Sequence, residues 1–297
     1  MEELFYHLKT LWLFTLRDVP AMVIPQTIFG ILIALSGNVT MAIESPSYSS
    51  VFRRLPNVVF WNWMNVLLFS LANQRLPEAI LEDKINKPWR PLPAKRITPL
   101  QARRVLLCVI PTVFTVSLKM GSLYEALFLM VGTWMYNDLG GADESFLVRN
   151  FMNALGFMCY SSASMGLATG LTYDYFKYDT KVWLVLVGLS IFTTIQVMDL
   201  ADMEGDASRN RKTLPLLYGE GAARWSIVVF ALFWSILFPY CWQVGKAGYA
   251  LSISSGCFLS ARVLFFRGVA QDKTNFVVWS LWNVSLYFLP VLKRLCQ

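Results

Sequence analysis

Two acid-rich stretches carry the residues whose types and spacing could do chemistry. In the first, read as a helix, Glu78 and Glu82 stand at i and i+4 on one face, with Gln74 one turn earlier and Asn73 beside it. In the second, Asp199, Asp202 and Asp206 fall at i, i+3 and i+7 and make a carboxylate stripe. Mg2+ is a hard cation that takes a few carboxylate oxygens together with waters and phosphate oxygens. Two such stripes facing one cavity suit a metal-bridged diphosphate, whose remaining charge Arg90, Arg211 and Lys212 could neutralise. The plainer reading is that these are solvated charges at helix ends. Clustered carboxylates repel one another unless a cation is shared, however, and a pair of clusters is more specific than either alone.

A third stretch, Asn137-Asp138-Leu139-Gly140-Gly141-Ala142-Asp143-Glu144, precedes Arg149 and Asn150. It reads either as a lid over the site or as a glycine turn with exposed acids.

The elements that must position these residues are apolar. Hydrophobic residues make up 56% of the 297 and charged residues 15%, a balance foreign to soluble domains. Apolar runs long enough to span hydrocarbon recur at 19–36, 55–72, 99–118, 121–136, 150–170, 181–198, 225–244, 248–266 and 275–292, so an integral membrane protein of nine helices is expected. The acid-rich stretches follow the second and sixth spans, which hints at two similar halves. Most of the 26 Lys and Arg residues flank the N-terminus and the loops after even-numbered spans, and the positive-inside rule makes that side cytosolic. Residues 1–18 mix Glu2, Glu3, Lys9, Arg17 and Asp18 with Leu, Phe and Trp, as an amphipathic helix lying on the bilayer would.

Composition also excludes. The net charge of +7 lies beside the apolar runs and not along one soluble face, so it marks topology and not a nucleic-acid partner. The five cysteines form no CxxC pair, and the single histidine, His7, leaves no room for a Ser-His-Asp triad or a histidine-ligated metal.

On these residues the chain resembles the UbiA superfamily of intramembrane prenyltransferases and related cyclases, over essentially its whole length. That family's first motif, NxxxDxxxD followed by RPLP, is matched by Asn73 and by Arg90-Pro91-Leu92-Pro93; its second, DxxDxxxD, by Asp199, Asp202 and Asp206. The first motif departs from the pattern: positions 77 and 81 hold Pro and Leu, and the acids follow as Glu78, Glu82 and Asp83. Together with Asn86-Lys87-Pro88, this resembles the fungal cyclase-type branch.

The resemblance implies one domain over 1–297, nine helices around a central cavity capped by cytosolic loops at about 73–98 and 199–224, and residence in the endoplasmic reticulum membrane. It implies Mg2+ held by Asn73, Glu78, Glu82, Asp83, Asp199, Asp202 and Asp206, with Asp199, Asp202, Glu78 and Glu82 catalytic. Asn73, Lys87, Arg90, Arg211 and Lys212 would bind an isoprenoid diphosphate.

A carbocation formed in such a cavity would need aromatic faces, which attract positive charge without adding to it. Trp61, Trp134, Tyr160 and Phe192 are the candidates, although ordinary packing explains any one of them. The expected activity is a terpene cyclase acting on farnesyl or geranylgeranyl diphosphate, with an aromatic prenyltransferase as the alternative. A transporter would place charges within the spans, and Glu125 is almost the only acid well inside one.

Overall fold

The computed structural model describes residues 1–43 and 46–296. In chain order the helices are α1 (Glu2–Thr15), α2 (Ile24–Ser36), α3 (Tyr48–Gln74), α4 (Pro77–Asn86), α5 (Pro99–Met120), α6 (Leu123–Asn137), α7 (Gly141–Glu144), α8 (Phe146–Thr169), α9 (Tyr178–Thr194), α10 (Met203–Ser208), α11 (Leu214–Tyr218), α12 (Glu220–Trp242), α13 (Lys246–Phe265), α14 (Val269–Tyr287) and α15 (Leu289–Leu295). A π turn over Val19–Val23 leads into α2, and α9 tightens into a 3-10 turn over Ile195–Ala201.

Local signals set the ends. Pro99 opens α5 behind a capping box, in which Thr98 Oγ1 accepts from the Gln101 backbone N–H and Gln101 Oε1 from that of Thr98. Gly121, at φ +78°, stops α5, and α6 turns back at once. Ser145 Oγ accepts the Val148 N–H to start α8.

Every apolar run expected to span coincides with a helix. Seven segments are long and apolar enough to cross a membrane: Val19–Val39, Tyr48–Gln74, Pro99–Met120, Tyr178–Ala201, Glu220–Trp242, Lys246–Phe265 and Val269–Leu295. The other two expected spans fall on α6 and α8. The first has 15 residues; the second has 24 but carries Arg149, Asn150 and Asn153 near its start and Ser161, Ser162 and Ser164 farther on.

The apolar interior forms two clusters, and α2 and α8 contribute to both. One gathers Phe29, Trp183, Val187, Phe238, Trp279 and Trp282; the other Val58, Trp61, Leu71, Val113 and Ala163. Between apolar helices the hydrophobic effect discriminates little in a bilayer, so close packing and hydrogen bonds must align them. Indole N–H groups serve here: Trp61 donates to Ser117 Oγ, Trp279 to Thr194 Oγ1, Trp282 to Ser235 Oγ and Trp234 to Thr193 Oγ1, each at 2.9 Å. At the bundle centre Asn62 Nδ2 donates to Thr27 Oγ1 at 3.1 Å and to Ser164 Oγ at 3.0 Å, joining α3, α2 and α8.

α1 packs on the bundle through its last turns. Thr10 and Phe14 are buried, while Leu4, Phe5, Leu8 and Trp12 are exposed. Its last turn is tied to α3, where Gln74 Nε2 donates to the Phe14 carbonyl at 2.8 Å and Trp63 Nε1 to Thr15 Oγ1 at 3.1 Å.

The closest approach of α2 and α8 depends on Gly30, since a Cβ there would lie 2.3 Å from the Ser164 carbonyl oxygen. Gly30→Ala should therefore push the helices apart and cost roughly 1–3 kcal/mol, seen as a lower unfolding temperature in detergent. Gly132→Ala, where a Cβ meets nothing within 4 Å, should not lower that temperature.

Candidate active site

The acid-rich stretches meet at one end of the bundle, where α3, α6 and α9 end and α8 begins. The 3-10 geometry at the end of α9 eclipses residues three apart, so Asp199 and Asp202 stay in one row as the chain turns toward α10 and Asp206. Across from them lies α4. The two segments interlock where Asn86 Oδ1 accepts the Gly205 N–H at 3.2 Å and Asn86 Nδ2 donates to the Asp202 carbonyl at 3.0 Å. A Cβ on residue 205 would sit 2.2 Å from Asn86 Nδ2, so only glycine permits this approach.

Each acid is matched to a base. Arg149 gives one guanidinium nitrogen to Asp199 Oδ1 at 2.8 Å and the other to the Tyr136 hydroxyl at 2.7 Å. Lys87 Nζ lies 2.7 Å from Asp202 Oδ2, and Arg17 lies 3.9 Å from the same carboxylate. Arg90 donates from Nη1 to both oxygens of Asp83, at 2.8 and 2.9 Å. Arg211 Nη1 reaches Asp206 at 3.0 Å and Glu82 at 3.2 Å, and Arg209 lies 3.4 Å from Glu82.

The glycine-bearing stretch after α6 belongs to the same network. Asp143 accepts from Arg209 and Arg211, Asp138 pairs with Arg75, and Asn137 Oδ1 accepts from Asn73 Nδ2 at 2.7 Å.

Burial makes this matching necessary, because an unpaired charge taken out of water costs several kcal/mol. Asp83, Asp199 and Asp206 are almost wholly enclosed. Burial pushes the Asp83 carboxyl up from its ordinary value, against the pull of Arg90 and Lys87. Asp206 is pushed up to about 7 by burial, offset by Arg149 and then reinforced by Asp199. At Asp202 burial is outweighed by Lys87 and Arg17, which hold the carboxyl below the usual range.

Mg2+, which the sequence reading calls for, can be tested against these atoms. Among the described residues, no three acidic, histidine or cysteine side chains already converge on a point, since a base draws each acid aside. Yet each aspartate of the second motif keeps one buried oxygen without a hydrogen-bond partner: Asp199 Oδ2, Asp202 Oδ1 and Asp206 Oδ2. Such unshared carboxylate oxygens are the donors a hard cation takes, and the residues fit it.

Other expected site residues divide. Asn73, Glu82, Asp83, Lys87, Arg90 and Arg211 join the network, whereas Glu78 and Lys212 are exposed and have no ion-pair partner among the described residues. Glu78 and Glu82, expected on one face, do not share an environment. α4 is embedded on two adjacent faces, with Glu82 turned to Arg209 and Arg211 and Asp83 to Arg90, while Glu78 sits in the first turn beyond the cluster.

Of the aromatic candidates, Trp61 and Tyr160 are buried edge to face with centroids 6.0 Å apart. Phe192 is half-buried against an apolar cluster. Trp134 is 54% exposed on the outer surface of α6, so it does not face the interior.

Two cavities adjoin the network. One of about 280 Å3 is lined by Asn86, Ala201, Met203, Glu204, Asp272 and Lys273; one of about 180 Å3 by Arg17, Pro20, Phe276 and Ser280. The sequence assigned no site role to Arg17, Tyr136, Arg149 or Arg209, and gave Asp143 only a place in a stretch read as a lid or a glycine turn. The legible signal was Arg149, a charge at the head of a long apolar helix.

Fold and site together define a multi-pass membrane protein whose paired acidic segments close one end of a helical bundle. Residues 80–284 match the UbiA prenyltransferase family, and the chain belongs to that family. It is similar to the fumagillin beta-trans-bergamotene synthase of Aspergillus fumigatus, 28% identical over 97% of this chain and 93% of that one. It is likewise similar to the somaliensene A/B synthase of Streptomyces somaliensis, 26% identical over 94% and 92%. Among solved structures it shares its fold with a UbiA homolog from Archaeoglobus fulgidus bound to DMAPP and Mg2+, at a TM-score of 0.65 and 13% identity over 95% of this chain and 99% of that one.

The Asp83–Arg90 pair makes a stability prediction. Asp83→Asn should strand the buried guanidinium and cost roughly 3–5 kcal/mol, read as a fall in unfolding temperature. Glu78→Gln, at an exposed position without a partner, should leave that temperature unchanged.

Proposed function

We propose that this protein is a Mg2+-dependent membrane terpene cyclase that ionises farnesyl or geranylgeranyl diphosphate and closes the allylic cation on itself. The observation that carries the reading is the second motif, whose three aspartates each hold one oxygen against a base and keep the other without a hydrogen bond. Asp199, Asp202 and Asp206, with Glu82, Asp83 and Asn73 across from them, would hold Mg2+, which when bound supplies positive charge beside the departing diphosphate. Similarity to the two synthases, along nearly the whole chain, supports an enzyme of isoprenoid chemistry, and the experiment below decides between cyclisation and transfer to an aromatic acceptor.

The chain's own groups have definite tasks in this reaction. Lys87, Arg90 and Arg211 stabilise the diphosphate as the C–O bond breaks, because preorganised cations in a dry site need no reorientation as charge develops. Asn86 and Gly205 keep the two segments in register, so donors from both motifs face one substrate. Tyr160 and Trp61, buried edge to face on α8 and α3, would offer ring surface to the cation. The closely packed interior limits water until a proton is lost from the cyclised cation.

The same reading makes nine spans. α6 starts beside the far end of α5, yet its last residue, Asn137, bonds Asn73 at the end of α3. α8 runs from Arg149 in the network to Thr169, whose carbonyl accepts from Arg54 near the start of α3. Both helices therefore run the length of the bundle, and the positive-inside rule puts the network on the cytosolic face, with the endoplasmic reticulum as the host membrane. α1 would lie on that face with Leu4, Phe5, Leu8 and Trp12 in the lipid.

Two experiments check this. Membranes containing the protein, given each allylic diphosphate alone with Mg2+, should release a cyclic hydrocarbon, and Asp199→Asn or Asp202→Asn should abolish it when rates are compared per amount of folded protein. Turnover only after an aromatic acceptor is added would make the protein a prenyltransferase instead. In sealed vesicles a tag at the N-terminus should be cytosolic and a C-terminal tag protected from protease; both tags on one side would refute nine spans.

A further inference from the structure

The reaction proposed above leaves α7, the short strap between α6 and α8, without a task. Gly140, at φ +72°, admits the turn into it, and Ser145 leaves it extended to cap α8. From the strap Asp143 reaches into the network, where Oδ2 accepts from Arg209 Nη2 at 2.8 Å and Oδ1 from Arg211 Nε at 3.0 Å. Two oxygens of one anion thus meet two guanidiniums, which is how paired arginines hold a phosphate group.

The carboxylates around these arginines are not equivalent. Glu82 and Asp206 are 7% and 0% exposed and sit on α4 and α10, inside the interlocked segments. Asp143 is 32% exposed and comes in from the rim, while Arg209 and Arg211 are each 6% exposed beneath it. Withdrawing Asp143 returns its charge to water; withdrawing either of the others would leave a buried carboxylate without its base. The strap stays tethered at its α6 end through Asp138 to Arg75 and Asn137 to Asn73, so it can lift without losing its place.

We propose that Arg209 and Arg211 form a phosphate subsite which Asp143 fills as an internal stand-in, and that a phosphate group of the substrate displaces it. This rests on the diphosphate reading above. The exchange keeps both guanidiniums paired throughout, so neither is stranded in a dry site. The return of Asp143 then competes with the product diphosphate and helps it leave.

The test uses purified full-length protein in detergent, with inorganic diphosphate plus Mg2+ as inhibitor of allylic diphosphate turnover. Asp143→Asn keeps the shape of the strap but removes its charge, so its inhibition constant should fall by about tenfold, the scale of one charge-assisted contact. Arg209→Gln should raise it by about the same factor. Orthophosphate is the companion probe: tightening limited to diphosphate assigns the subsite to the substrate, and equal tightening of orthophosphate assigns it to free phosphate. An inhibition constant unchanged or raised in Asp143→Asn overturns the proposal. Should that variant fail to fold, Ala142→Cys, at a buried position of the strap, gives a second reading. Maleimide labelling of that cysteine, quantified by mass spectrometry, should rise when diphosphate is added, and labelling unmoved by diphosphate overturns the displacement. If diphosphate inhibits neither protein, the diphosphate reading itself falls.

Discussion

The structure depends on keeping buried charge paired where polar chemistry meets an apolar bundle. Glu82, Asp83, Asp143, Asp199, Asp202 and Asp206 face Arg17, Lys87, Arg90, Arg149, Arg209 and Arg211 in equal number, and each acid touches at least one base. Of these groups, all but the partly exposed Asp143 would, left alone at such burial, change protonation or draw in water. The network therefore orders its own neighbourhood. These pairs tie α4, α7, α8, α10 and the turn after α9 to one another.

Pairing of this kind also prepares the site for an ionic ligand. Bases that hold carboxylates can be turned to a diphosphate, and carboxylates with one oxygen spare can take a cation, with little net change in charge. Because Arg211 alone bridges Glu82, Asp143 and Asp206, a change at one segment is felt in the others. Beneath this layer the bundle is aligned by short polar contacts, indole to hydroxyl and Asn62 to Thr27 and Ser164, which keep helices in register where apolar contact alone discriminates poorly.

Much of this was legible in the chain itself. The helical membrane architecture followed from apolar runs set off by Gly121, by the glycine pair at 140 and 141, and by charged loops, since only a helix satisfies its backbone in hydrocarbon. The second motif was legible too, because spacings of three and four residues keep side chains on one face whether the turn is α or 3-10. Tertiary structure decided what periodicity could not. Helical spacing gave Glu78 and Glu82 equal standing, but α4 is buried on two faces and reaches the network only from its second turn, so Asp83 is inside and Glu78 outside. Trp134 looked like Trp61 in sequence and lies on the opposite surface of its helix. Asp143, Arg149 and Arg209 come together from segments far apart in the chain, and no local pattern announces that meeting; it follows from the end-to-end course of α6 and α8, which brings their charges to the acids of α9 and α10.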